Sequence, residues 1–214
     1  MLFRSQVLAL TTAQIQALTN TQVKGLEETD LASFSTTQIN ALSTGQIQAL
    51  ETTDLQALTT TSIAQLSNTL LKALTATQIG DLADTQVLAL TETQLGQLGG
   101  TQIRGFEVTD LGTLTTTQLS LLSSTQISAF STTQIKALGD TQVAGLSTTQ
   151  VTGFTSTQLN ALETTDLQAL TTTQVASLTT TQIKGLTGTQ ISDLTDTQVQ
   201  SLRSEEHTSE LQSH

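Results

Sequence analysis

The chain has 214 residues, a formal net charge of −11, and no Pro, Cys, Trp or Tyr. Without Cys there is no disulfide scaffold and no thiolate metal site. The acidic balance argues against nucleic acid or anionic membranes as partners, and no apolar run is long enough to span a bilayer.

Such a biased alphabet points to a repeat, and the chain aligns on itself with a period of eight. Leu2 already stands at octad position 8, and FRSQVLAL, from Phe3 to Leu10, is in register. Met1 is therefore expected to lie inside a longer array, with no secretory leader in view. From Thr11 to Leu202 run 24 uninterrupted octads, beginning TTAQIQAL, TNTQVKGL, EETDLASF and STTQINAL. Position 1 is Ser or Thr in 17 of the 24, position 3 is Thr in 22 and position 4 is Gln in 18. Position 5 is always Ile, Val or Leu, and position 8 is always Leu or Phe. No insertion breaks the register, so residues 2–202 are expected to form one array without a linker.

A longer period lies over the octad. ETTDLQAL at Glu51, EVTDLGTL at Glu107 and ETTDLQAL at Glu163 follow one another at intervals of seven octads. The octads starting at Ala83, Gly139 and Thr195 keep the same interval. Seven octads therefore form a higher unit, which reads as stepwise duplication of a block.

A continuous helix does not suit an octad, because the apolar stripe would drift about 80° per repeat and bury no single face. A helix restarted in each octad does. Position 1 is then the N-cap and Gln at position 4 is N3, the S/T-x-x-Q capping box. Leu at position 8 and Ile or Val at position 5 form the hydrophobic staple. Phe34-Ser35-Thr36-Thr37-Gln38-Ile39 shows the whole device. On this reading, Gln134→Ala loses one reciprocal bond, and Ser131→Ala costs more by removing the cap acceptor. Positions 5 and 8 share one face, position 6 points elsewhere, and the small residues at position 7 are expected to ease the turn into the next cap. The predicted fold class is all-α, a solenoid of short capped helices, one per octad. The alternative is a β-solenoid, since Thr, Ile and Val favour strands. Either way, two aliphatic side chains do not offset the ordering of a whole octad, so neighbours must stack. Phe34, Phe106, Phe130 and Phe154 are separated by multiples of three octads, which suggests three octads per turn.

After Leu202 the register stops. RSEEHTSELQSH, residues 203–214, resembles the in-frame translation of a sequencing-library adapter and is expected to be a non-native tail. His207 and His214 leave with it.

The array holds no Cys or His, so the usual nucleophile–base pairs are missing and no enzyme is expected. No catalytic residue, cofactor-binding residue or metal ligand is assigned, and no cofactor is expected. Gly99-Gly100 is an isolated pair, and Lys24, Lys72, Arg104, Lys136 and Lys184 all fall at position 6, a solvated face. The acids invite a reading as calcium ligands: Glu27/Asp30, Glu51/Asp54, Glu107/Asp110 and Glu163/Asp166, with Asp81/Asp84 and Asp193/Asp196. Acids sit well at a helix N-terminus without any metal, and that reading is preferred.

Phrases such as LTTTQIKGL and FSTTQIKAL resemble octapeptide arrays of very large bacterial surface or exported proteins, labelled exoproteins of haem utilisation or adhesion. The resemblance covers Leu2 to Leu202. It implies an extracellular or cell-surface location and a spacer, stalk or adhesive role, facing a receptor or surface ligand of unknown identity. Haem is left out, because the array lacks His and Tyr. A Thr-rich face binding glycan or ice is the alternative if the fold is β.

Overall fold

The structure, a computed structural model, describes residues 7–202. Met1 to Gln6 and the 203–214 tail lie outside the described residues. Two compact units divide between Thr113 and Leu114, and each is described by itself.

In both units every octad carries one short α-helix, from Thr12–Ala17 to Val108–Thr113 in the first and from Thr116–Ser120 to Gly188–Asp193 in the second. No strand occurs among the described residues, which corrects the β-solenoid alternative. The T-x-T segments lie in first helical turns because the cap chemistry outweighs the strand preference of Thr. Ser35 shows why: with φ −67° and ψ 159° it stands outside the helix, and its hydroxyl accepts from the Gln38 N–H. The Gln38 carboxamide oxygen in turn accepts from the Ser35 N–H at 2.9 Å. Together they satisfy two of the donors that a helix start leaves open.

Each helix is closed as locally as it is opened. Ile39 N–H donates to Ser35 O at 2.9 Å and Leu42 N–H to Ile39 O at 3.1 Å. Position 8 is then extended, as at Leu58 with φ −64° and ψ 135°, and the next cap is extended too. Two extended residues in succession redirect the chain once per octad. No described residue has a positive φ, so the path needs no left-handed glycine.

The redirected helices coil and stack. In the first unit Asn20–Lys24 packs on Thr44–Ala49, and that helix on Asn68–Ala73; in the second, Asp140–Ala144 packs on Thr164–Ala169 and Ser156–Ala161 on Thr180–Gly185. Each partner lies three octads along. Hydrogen bonds between turns span 25, 28 and 31 residues in the first unit and the same separations in the second. They centre on 28 residues, so a turn holds three and a half octads rather than the three suggested by the Phe spacing. Phe and Leu are interchangeable at position 8 (Phe130 is 4 % exposed, Leu138 2 %), so Phe spacing carries no information on the turn.

Positions 5 and 8 form the core of each unit. Ile39, Ile47 and Leu55 in the first and Ile127, Ile135 and Val143 in the second are fully buried. Two glycines at position 7 also stand where neighbouring turns approach closely. A Cβ on Gly105 would lie 2.9 Å from the Cα of Ala76, and one on Gly153 would lie 2.8 Å from the Cα of Ser124. The backbones of neighbouring turns meet at these two glycines, while Gln65, Asp81 and Leu121 occupy position 7 elsewhere.

Candidate functional site

Where the turns meet, one residue type does two jobs. Gln78 uses its side-chain oxygen to accept from the Thr75 N–H at 3.1 Å. Its Nε2 donates to Ile47 O at 2.9 Å and Leu50 O at 3.0 Å, one turn earlier. Gln86, Gln94 and Gln102 repeat the pattern on Leu55/Leu58, Ile63/Leu66 and Leu71/Leu74. In the second unit Gln150, Gln158 and Gln182 do the same on Leu119/Leu122, Ile127/Phe130 and Val151/Phe154. The acceptors belong to helix C-terminal ends, where carbonyls lack intrahelical partners. Glu fits a capping box as well as Gln, yet it never occupies position 4. Only an amide can accept for its own cap and donate to the turn before.

Other polar groups reinforce the same junction. Asn40 donates through Nδ2 to Gln65 O at 2.8 Å and accepts through Oδ1 from the Ser67 N–H at 2.7 Å. Gln56 donates to Asp81 O and Gln168 to Asp193 O, at 2.8 and 2.7 Å.

The acids considered as calcium ligands are not paired as their spacing suggested. Asp30, Asp54, Asp110 and Asp166 are buried and turned inward, each accepting from the backbone N–H of its own position 1. Their Glu neighbours Glu27, Glu51, Glu107 and Glu163 are exposed. Asp81 and Asp193 accept instead from Thr52 and Thr164 hydroxyls at 2.7 and 2.8 Å, while Asp84 and Asp196 are exposed. Among the described residues no group of three or more His, Cys, Asp or Glu is placed to hold a metal. The Lys and Arg side chains at position 6 are exposed. An open surface hollow of about 430 Å³ beside Lys24 is lined by Glu27, Glu28, Glu51 and Asp54.

Burial sets the proton affinity of the inward acids. It raises the Asp54 carboxyl above its usual range, with the nearby Glu51 and Glu28 charges adding to the effect against the Glu51 N–H bond. Asp110 is pushed up to about 6, chiefly by burial, with Asp84 and Glu107 contributing. Asp166 also rises to about 6, through burial first and then a carboxyl hydrogen bond with Asp140.

A family model for the ALTTAQ repeat matches residues 23–60, 47–84, 103–140 and 159–196, together more than half of the chain. The chain belongs to the ALTTAQ repeat family. Three of the four matched windows begin seven octads apart, the period of the longer block. The windows 47–84 and 159–196 each enclose one complete inter-turn link, Gln78 on Ile47 and Gln190 on Leu159. In these two windows a position-4 amide and the carbonyl it holds lie together. No curated protein matches the chain.

Proposed function

We propose that this ALTTAQ repeat chain is a non-enzymatic structural segment of a bacterial surface or secreted protein, acting as a spacer or stalk or as an adhesive surface. The observation that carries the reading is the repeated Gln link. Gln78 and Gln150 make the same bonds at the same separations in different units, so the Gln that recurs at position 4 serves the stack itself. Such a stack lengthens by copying, which suits a spacer. The surface left over, positions 2, 3 and 6, is rich in Thr, Ser and short polar groups, and a cell-surface ligand would meet it there. No described helix is long and apolar enough to cross a membrane.

An antibody raised against the array and applied to intact producing cells tests the location. Labelling before lysis is expected, and labelling only after lysis would remove the surface reading. Binding of the purified chain to a glycan array separates adhesion from spacing: retained glycans favour an adhesive face, and a blank array favours a spacer.

A further inference from the structure

Glu28 and Asp54, Asp84 and Asp110, and Asp140 and Asp166 share one spacing, three octads and two positions, and the pairs recur with each seven-octad block. In each pair the first acid opens a helix at position 2 and is exposed, while the second occupies position 4 three octads later and is buried. The second stands where other octads carry the linking Gln. Asp is one methylene shorter and, ionised, has no donor, so it cannot form the Gln bonds to the preceding turn. Its neighbour there is another carboxyl. Asp166 and Asp140 are hydrogen-bonded through their side chains, which requires that one of the two carry a proton.

The surroundings offer little compensating charge. Thr164–Ala169, which carries Asp166, packs on Asp140–Ala144 and Gly188–Asp193. The ionisable groups from these elements are Asp140 and Asp193, with Glu163 at the cap of its own octad, and Asp193 is engaged by Thr164. Val108–Thr113, with Asp110, packs on Asp84–Leu88, which brings Asp84, and Glu107 adjoins it. Thr52–Ala57, with Asp54, packs on Glu28–Leu31, bringing Glu28 and Asp30. Glu51 lies in the same octad as Asp54, Asp81 is bonded to Thr52 and Gln56 of that helix, and Lys24 shares the surface hollow.

We propose that each pair is a proton-operated clip between successive turns. At Asp140 and Asp166 one proton taken from solvent bridges the two carboxyls and holds the turns together; at all three pairs, loss of the proton from the buried Asp leaves two like charges that press the turns apart. The sign is opposite to ordinary acid denaturation. A folded carboxyl titrating near 6, against an unfolded one near 4, makes the folded state bind more protons between those values. Stability is therefore greatest below about pH 4 as far as these groups decide it, falls between about 4 and about 6, and is flat above.

The test uses denaturant melts of the full chain at about pH 5 and about pH 7.5, at one ionic strength. The wild-type midpoint is expected to be higher at the lower pH. The triple variant D54Q/D110Q/D166Q, which restores the consensus amide, is expected to show equal midpoints at both and to exceed wild type at the higher pH. Carboxyl NMR titration of wild-type Asp166 reads the clip without any variant, and a step near pH 6 is expected. Equal or reversed wild-type midpoints, a pH difference that survives in the triple variant, or titration of Asp166 in the ordinary carboxylate range would overturn the clip.

Discussion

Gln150 Nε2 lies 2.7 Å from Leu119 O, 31 residues earlier in the chain, while the oxygen of the same amide accepts from the Ser147 N–H at 2.9 Å. One planar group thus closes a helix start and ties it to the turn before. A second bond, to Leu122 O, is also 2.7 Å. Gln150→Ala is expected to cost about 2–4 kcal/mol, from roughly 1 per lost neutral hydrogen bond plus the cavity. Gln150→Glu separates the two jobs. It preserves the capping acceptor but turns a carboxylate toward two carbonyls, and a buried uncompensated charge costs about 3–5 kcal/mol. Denaturant melts at neutral pH should rank Glu below Ala. If Glu behaves like wild type, the inter-turn bonds contribute nothing.

The cap hydroxyl is the smaller partner. Ser147 accepts from the Gln150 N–H at 3.2 Å, and Ser147→Ala is expected to lose about 1 kcal/mol. Ser147→Asp should stay within about 0.5 kcal/mol of wild type, since Asp caps well at a positive helix end. The expectation from sequence put the cap above the amide in importance; the inter-turn bonds of Gln150 lead to the opposite expectation. Finding Ser147→Ala costlier than Gln150→Ala would restore it.

What sequence could supply was whatever lies within one octad. Ser35, Gln38 and Ile39 are close neighbours, so cap, box and buried face follow from helical spacing alone. Gln38 also donates to Leu10 O, 28 residues away, and nothing inside an octad says how many octads make a turn. Two signals were available. Position 4 admits Gln and never Glu, which a capping box alone does not demand. The seven-octad block is two turns of three and a half octads each, the shortest whole number of octads that returns a residue to the same place on the coil. The acid pairs were hidden for the same reason. Glu107 and Asp110 looked like partners because they are close in sequence, whereas the helix that carries Asp110 packs on the one that Asp84 opens, and the Asp84 charge also acts on it.

Glycine substitutions check the close backbone approach. A Cβ at Gly153 would lie 2.7 Å from Ser124 O and 2.8 Å from its Cα, so Gly153→Ala must push two turns apart. Overpacking of that kind costs about 1–3 kcal/mol. Gly96 lies inside the helix Glu92–Gln97, and a Cβ added there would meet nothing within 4 Å. Gly96→Ala should therefore gain about 0.5–1 kcal/mol from helix propensity. Opposite signs for the two changes are the expected thermal-melt result. Equal shifts would mean that the turn contact at Gly153 yields freely.

The segment from Arg203 to His214 falls outside the octad register and does not continue the consensus. Its removal is expected to leave the melting temperature unchanged within about 1 °C, well below the roughly 2–4 °C that 1 kcal/mol produces in a chain of this size. A clear drop would make it a structural element.

Copy number tests the stack and the super-repeat together. Adding one seven-octad block contributes two turns, with a Gln link wherever position 4 carries the amide and one acid pair at the Asp octad. Nearest-neighbour coupling makes stability rise by a similar increment per added block. The acid pair sets a second, independent count: the difference between melts at about pH 5 and about pH 7.5 should grow by one pair's share with each block. Inserting a single octad between Thr52 and Asp81 offers the contrast. Every Gln still meets a position-5 and a position-8 carbonyl, because all octads supply them. Thr52 and Asp81, bonded at 2.7 Å across 29 residues, lose their match. Such an insertion should keep the helical circular dichroism while lowering the midpoint relative to a seven-octad insertion. If one octad raises stability as regularly as seven do, the seven-octad period is a relic of duplication with no structural register behind it.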